Sequence, residues 1–510
     1  MGRLKHNVIA NIAGHGWAVL IAVLVVPLYI KLVGIEAFGL IGFFVMLQGL
    51  LVILDLGFGQ TLNRELARYS ALPDTLKETR NLLRSLEIVY WIVGIVIGAS
   101  IAMLSPVIAQ HWIKAQALSQ ETVQRAVLMM GLVLALQWPV SLYLSGLMGL
   151  QRQVLVNAIR IATSTVAGVG GVAVLALLSR DIVALFAWQV VVAGMSVVLA
   201  AFMLWHQLSL GGHQSHFSSA ALRRVKRFAV GMTGITLTGI ILIQADRVVL
   251  SNLLSLDRFA YYTLAWVVAN GMYVFITPIY SSFSPRFAAL TAQSDVAALR
   301  SLYHQGSQLM AALIAPVAAM LFFCSYEVIE LWTGAAETAK NAAPIVSLLI
   351  VGTALNGLMN LPYALQLAHG RTDIGLALNL ALISLAFPTL IFMAKTYGAV
   401  GGAAVWASLN ALYLLVGIPV THRKLLPGAT REWLLHDVAI PFFVAVVTVA
   451  TLRSMLGTGA DRLETAVHLC LISMSALIAA MWVTPMTRQH MLQVLSRGHK
   501  WVKRLTTLLA

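Results

Sequence analysis

Apolar runs of membrane-spanning length, separated by short polar stretches, recur along the whole chain. Fourteen are legible: 8–31, 38–58, 86–106, 124–147, 154–178, 182–205, 228–253, 259–280, 305–326, 342–362, 374–394, 398–419, 437–456 and 465–485. A helix needs about 20 mostly apolar residues to cross a bilayer. The runs are continuous rather than alternating, which favours helices over a barrel. The pattern therefore predicts an all-α integral membrane protein with about 14 transmembrane helices. The opening MGRLKH is positive, as before a signal peptide. The run after it is long and lacks a small-x-small cleavage site, so an uncleaved first span is the better reading.

A weak repeat organises these runs. LVGIEAFGLIGF (32–43) resembles LLSLDRFAYYTL (253–264), placing Glu36 over Asp257, Phe38 over Phe259 and Gly39 over Ala260. Further along, NRELA (63–67) resembles SPRFA (284–288), placing Arg64 over Arg286, while TYGAVGGAAVW (396–406) reads as a further degenerate turn. Six spans separate the copies, so the repeat is parallel, with its axis along the membrane normal. The chain then divides into a six-helix bundle at 1–206, a basic cytoplasmic linker at 207–227 and a second six-helix bundle at 228–420. Helices 13 and 14 follow at 421–485, with a basic tail at 486–510. A parallel pair of bundles predicts a cavity between them.

Composition agrees with the pattern. Of 510 residues, 59% are hydrophobic and only 10% charged, with mean hydropathy +0.86. A soluble domain carries about a quarter charged residues. The net charge of +15 could suggest nucleic acid, but its distribution points elsewhere. With the N-terminus inside, 24 Lys and Arg fall on the cytoplasmic side and nine outside. Such a bias orients polytopic proteins, so both termini are expected in the cytoplasm of a cell with an inner (plasma) membrane. The tail RGHKWVKRL then fits anionic lipid better than nucleic acid. Connections are short, the longest outer ones being 107–123 and 327–341, and no GxxxxGK[ST], HExxH or GxSxG occurs. No cofactor or catalytic residue is expected. Cys324 and Cys470 lie in apolar segments and read as ordinary packing.

Several polar residues inside spans are candidates for function. Asp55, in LVILDLGFGQTLNREL, lies about 25 Å along its span. Gln48, seven residues earlier, falls on nearly the same face. Asp55 reads as a proton- or cation-responsive carboxylate, as an interfacial aspartate solvated from the cytoplasm, or as half of an ion pair. Gly57 and Gly59 read as close-packing positions. Asp246 and Arg247 adjoin within the seventh span, and each needs a partner there or in a cavity. Arg64, Arg160 and Arg286 could line a cytoplasmic-facing basic entrance for an anionic group, or could snorkel to lipid phosphates. Asn157 and Ser164 share a stripe with Arg160. Asn7, Asn11 and His15 form a polar stripe on the first span, and Asn356, Asn360 and Asn379 read as interhelical bonds. Trp91, Trp112, Trp205, Trp332 and Trp433 read as interfacial anchors.

The turn LVGIEAFGLIGFF, the exit ILDLGFGQTLNRELARY and the segment QADRVVLSNLLSLDRFAYYTLAWVV resemble polysaccharide exporters of the multidrug/oligosaccharidyl-lipid/polysaccharide superfamily, nearest to Wzx-type O-antigen flippases. The resemblance runs over roughly residues 1–420. It implies a V-shaped protein of two six-helix bundles that flips an undecaprenyl-pyrophosphate-linked oligosaccharide across the inner membrane by alternating access. It also implies roles for intramembrane acids and arginines, with proton or sodium coupling left open. Expected partners are membrane lipids, the lipid-linked oligosaccharide and other polysaccharide assembly proteins, around a monomeric transport unit. Alternatives are a cation-coupled multidrug antiporter of the same superfamily and a membrane glycan polymerase or ligase. The small outer loops weigh against the enzyme.

Overall fold

The computed structural model describes residues 2–55, 57–69, 76–208, 215–457 and 459–489, and within them the chain is almost wholly helical. An isolated bridge between Lys114 and Ser255 is the one β contact among the described residues. Two compact units emerge, Met1–Thr263 and Leu264–Ala510.

The first unit contains α1 (Gly2–Val33), α2 (Ile35–Leu51), a 3-10 turn (Val52–Asp55), α3 (Phe58–Tyr69), α4 (Leu76–Val107), α5 (Gln120–Gly149), α6 (Gln153–Leu177), α7 (Ile182–Gln207) and α8 (Ser219–Leu253). The unit boundary falls within α9 (Leu256–Asn270). Small residues make the helix seams, as expected where lipid removes the hydrophobic drive between helices. On α4, a Cβ at Gly94 would lie 2.7 Å from the Ala135 carbonyl oxygen of α5, and one at Gly98 would lie 2.9 Å from the Ala135 Cβ. Pro139, four residues beyond Ala135, cannot donate to that carbonyl, so α5 is already relieved of a bond where α4 comes closest. Along another seam, α1 meets α6 through Trp17 Nε1 to Thr165 Oγ1 at 2.8 Å and Tyr29 Oη to the Gly168 carbonyl at 3.1 Å.

The second unit holds the end of α9, then α10 (Tyr273–Ala292), α11 (Val296–Phe323), α12 (Ser325–Thr333), α13 (Ala336–Ala368), α14 (Thr372–Leu425), α15 (Ala429–Glu432), a π-helical turn (Trp433–Ala439), α16 (Ile440–Leu456) and α17 (Arg462–Val483). Ala315, Ala319, Ala445, Val449, Ile472 and Ala476 form the apolar core where α11, α16 and α17 meet. Glu327 of α12 pairs with Arg453 of α16 at 2.8 Å.

Among the described residues, ten helices are long and apolar enough to cross a membrane, or eleven if the bent pair α9–α10 is one span. The sequence pattern counted more for local reasons. Helix α2 has only 17 residues. The 54-residue α14 holds two of the runs, bent at Gly398 where φ is 60°. The side chains of 220–236, on α8, lie outside the description.

Side chains such as Met103, Leu177, Leu178 and Met455 are at least 75% exposed. A surface this apolar belongs in lipid, and the protein is a multi-pass membrane protein. Three sequence expectations need correction. The span 38–58 is not one helix, because α2 ends at Leu51. The outer connection 327–341 is largely helical rather than looped. Cys470 is exposed, whereas Cys324 is buried; both thiols are free.

Gly94→Leu should destabilise the protein by about 1–3 kcal/mol through overpacking against the Ala135 backbone. Thermal unfolding in detergent should show a lowered midpoint. Gly16→Ala, whose Cβ meets nothing within 4 Å, should not lower it. Equal midpoints for Gly94→Leu and wild type would contradict the α4–α5 seam.

Candidate functional site

Helix α2 stops because the next residues tighten into a 3-10 turn and Gly57 takes φ 78°, a left-handed value that only glycine adopts freely. The break strands backbone groups that lipid cannot satisfy. Asp55 meets part of that need. Its Oδ2 accepts from the Gly59 N–H at 3.4 Å, and its Oδ1 accepts from the Tyr90 hydroxyl of α4. Thr61 Oγ1 caps the Gly57 carbonyl at 2.7 Å. Gly57 therefore serves the turn rather than helix packing, while Gly59 faces Asp55 and Ser145 closely.

Asp55 and Gln48 line one cleft of about 320 Å3, as their shared face predicted. Helix α5 supplies the opposite wall. Gln137, Ser141 and Ser145 recur every four residues and so share a face. Gln48 Nε2 donates to Gln137 Oε1 at 2.7 Å across the cleft. Gln60, Leu51, Val52, Leu134 and Trp138 complete the lining. The Trp138 ring stacks on Tyr90, with centroids 5.8 Å apart, and its Nε1 is buried without a hydrogen-bond partner among the described residues. The cleft lies wholly within the first unit.

A pedestal of polar contacts supports α4 beside it. Buried Glu87 accepts from the Tyr143 hydroxyl at 2.6 Å and Trp205 Nε1 at 3.2 Å, and pairs with Arg84 at 2.6 Å. Tyr143 Oη in turn accepts from Trp91 Nε1 at 3.3 Å. These tryptophans are structural donors rather than free interfacial anchors. The same holds for Trp112, bonded to Ser251 at 3.0 Å, and for fully buried Trp433, bonded to Ser307 at 3.0 Å.

The other candidates do not join this cleft. Arg64, 53% exposed, pairs with neighbouring Glu65 at 2.7 Å. Arg160 is half-buried on α6, its guanidinium with no hydrogen-bond or ion-pair partner among the described residues, and Asn157 and Ser164 bond carbonyls of their own helix. Arg286 is exposed on α10, in the second unit. Asp246 accepts from the Tyr262 hydroxyl at 2.5 Å and the Arg247 backbone N–H at 2.7 Å, while Arg247 Nη1 reaches Gln244 Oε1 at 3.4 Å. The side chains of Asn11 and His15 lie outside the described residues. Asn356 does bond across helices, to Asn410 at 3.0 Å, whereas Asn360 bonds its own helix.

Sequence reasoning missed Gln137, Trp138 and Tyr90 in the first unit; the signal was an amide deep within an apolar run, followed by Trp-Pro. It also missed a buried group in the second unit. There Asp437, wholly buried, receives Gln308 Nε2 at 3.0 Å and faces His304 Nδ1 at 2.5 Å. Beside it Tyr303 Oη meets His422 Nε2 at 2.8 Å. These bonds tie α11 to α14 and to the π-helical turn before α16.

With that geometry in place, similarity to known proteins can be weighed. A candidate O-antigen transporter of Shigella flexneri is 23% identical over 414 residues, covering 80% of this chain and 96% of the relative. The solved lipid II flippase MurJ, in an inward closed conformation, superposes with TM-score 0.72 at 10% identity, covering 94% of this chain and 98% of that one. An inward-facing multidrug resistance MATE family transporter of the MOP superfamily superposes with TM-score 0.65 at 14% identity, covering 82% and 96%. At such identities these two establish the fold and leave the cargo open. The profile described as polysaccharide biosynthesis protein matches residues 4–291, more than half of the sequence, and the chain belongs to that family.

Proposed function

We propose that the protein is a flippase for lipid-linked oligosaccharide, such as an O-antigen unit on undecaprenyl pyrophosphate, working by alternating access in a bacterial inner membrane. The carrying observation is the alignment with the Shigella flexneri candidate O-antigen transporter over nearly that protein's whole length. Fourteen crossings are proposed, with α2 plus α3, α8 and the second limb of α14 joining the helices counted above. In support of a parallel repeat, the second span of each copy is broken: α2 gives way at Val52–Asp55, and α9 and α10 meet at a 43° bend. Arg64, Arg160, Arg247 and Arg286 remain proposed contacts for the anionic headgroup, because a guanidinium donates paired hydrogen bonds to phosphate. Asp55 is the proposed group for proton or sodium coupling. Asp246, Gln48, Asn11 and His15 are proposed cavity groups.

A multidrug antiporter is the second reading. It is favoured by the MATE-like fold and by a carboxylate beside an aromatic wall in the Asp55 cleft, which suits an organic cation.

Sidedness of the glycan lipid in sealed vesicles separates the two. A membrane-impermeant lectin should detect outer-leaflet glycan only when the protein is present, and Asp55→Asn should lower the signal by about tenfold, equivalent to ~1.4 kcal/mol in rate-limiting free energy. Glycan sidedness that ignores the protein, with efflux of a cationic dye that follows it, would favour the antiporter.

The Lys and Arg bias places Lys340 outside and Arg371 inside. In a chain with Cys324 and Cys470 replaced, a membrane-impermeant maleimide added to intact cells should label Lys340→Cys and spare Arg371→Cys. The reverse pattern would invert the topology.

A further inference from the structure

We infer that the cleft between α2 and α5 is a saccharide subsite, holding a single pyranose ring of the cargo against Trp138 with Gln48, Gln137 and Asp55 as its hydrogen-bonding frame. This rests on the flippase reading of the cargo. It adds where one sugar of that cargo is recognised.

Four observations carry it. The first is inventory. Gln48 and Gln137 spend one donor and one acceptor on each other, at 2.7 Å. The Gln48 Oε1 and the Gln137 amide hydrogens make no other hydrogen bond among the described residues, so an acceptor and a pair of donors remain beside the cleft. Gln60 and Ser145, also in the lining, have no side-chain hydrogen bond among the described residues. A pyranose presents adjacent hydroxyls, each both donor and acceptor, which this mixed set matches better than a ligand of one polarity would.

The second is the apolar wall. Trp138 is 92% buried, at 8% exposure, and its Nε1 is closed off from the cleft, so it offers ring carbon rather than a donor. The carbons of a sugar ring would lie on Trp138 and on the apolar wall from Leu51, Val52 and Leu134.

Charge is the third. Among the lining residues Asp55 alone carries a formal charge. An anionic pyrophosphate is therefore repelled from the cleft and must be held elsewhere. The carboxylate is neither bare nor saturated: it accepts from Tyr90 and Gly59 and keeps lone pairs for neutral hydroxyls. The fourth is size. About 320 Å3 sits at the lower end of small-molecule sites. It accommodates a sugar ring and excludes a whole oligosaccharide, so recognition would read one residue of the repeat unit and tolerate variation beyond it.

The test uses full-length protein in nanodiscs and saturation-transfer NMR with free D-glucose, D-galactose, N-acetyl-D-glucosamine and L-rhamnose as probes. At least one should receive saturation from wild type. Gln137→Leu should weaken that sugar about tenfold, and Ser141→Leu, which fills the cleft without removing an interhelical bond, should abolish the signal. Ser384→Ala, far along the chain on α14, should match wild type. If no sugar binds wild type, or if both leucine variants bind as wild type does, the subsite is overturned. A cationic dye that binds wild type and is lost in Ser141→Leu, with no sugar binding, also overturns it. The vesicle sidedness experiment reads the flippase function independently. Protein-dependent glycan sidedness without sugar binding would remove the subsite and leave the flippase; sidedness that ignores the protein would remove the flippase itself.

Discussion

The break after α2 is the constraint on which the first unit turns. Backbone N–H and C=O groups freed by a break need partners within the protein wherever lipid surrounds it, because lipid has none to offer. The chain breaks α2 at Val52–Asp55 and takes a left-handed step at Gly57. Asp55 then answers two demands at once. It receives the Gly59 N–H freed at the start of α3, and it pins the break to α4 through Tyr90. Gly94 and Gly98, one and two turns beyond Tyr90, let α4 lie directly on α5. The Glu87 pedestal holds the same stretch of α4 from beneath. The cleft is thus the space left where α2 turns away from a tightly closed α4–α5 pair.

Much of this was legible in the sequence, and the limits are instructive. Gln48 and Asp55 could be paired because seven residues make two helical turns, and local spacing is what a sequence shows best. The break between them and α3 was harder. DLGFG reads equally as a helix end or as small-residue packing, and only the φ of Gly57 decides. Gln137 is a lone amide in an apolar run, which spacing alone does not single out. It makes an interhelical bond, and the partner is Gln48, 89 residues away. The group around Asp437 shows the same limit more strongly. His304 and Asp437 are 133 residues apart, so no local pattern announces them. The number of spans is harder to read for a different reason: a helix of 17 residues and a bent helix of 54 both depart from the ideal length.

The two units place their polar groups differently. In the second unit Asp437 gathers His304 and Gln308, and beside them Tyr303 meets His422, all among α11, α14 and the π-helical turn. One atom of this group, His304 Nε2, is buried without a hydrogen bond among the described residues. These contacts tie the last helices to α11, alongside the alanine-rich core of α11, α16 and α17. In the first unit Gln48 and Gln137 border a cleft with hydrogen-bonding capacity unspent.

That contrast bears on how a carrier should bind. A transporter must hold its cargo well enough to capture it and loosely enough to release it on the other side, so a deep charged trap would defeat transport. Neutral amides and hydroxyls on an apolar wall give several modest hydrogen bonds, each worth about 0.5–1.5 kcal/mol net because water competes for the same groups. A saccharide bound as proposed would gain affinity with the number of its hydroxyls that meet partners together. Because Gln48 stands on α2 before the break, Asp55 within it and Gln137 opposite on α5, a shift of α2 at Val52–Asp55 would separate Gln48 from Gln137. The weak point of the helix and the hydrogen-bonding groups of the cleft are therefore the same place, so motion there would alter the proposed subsite directly.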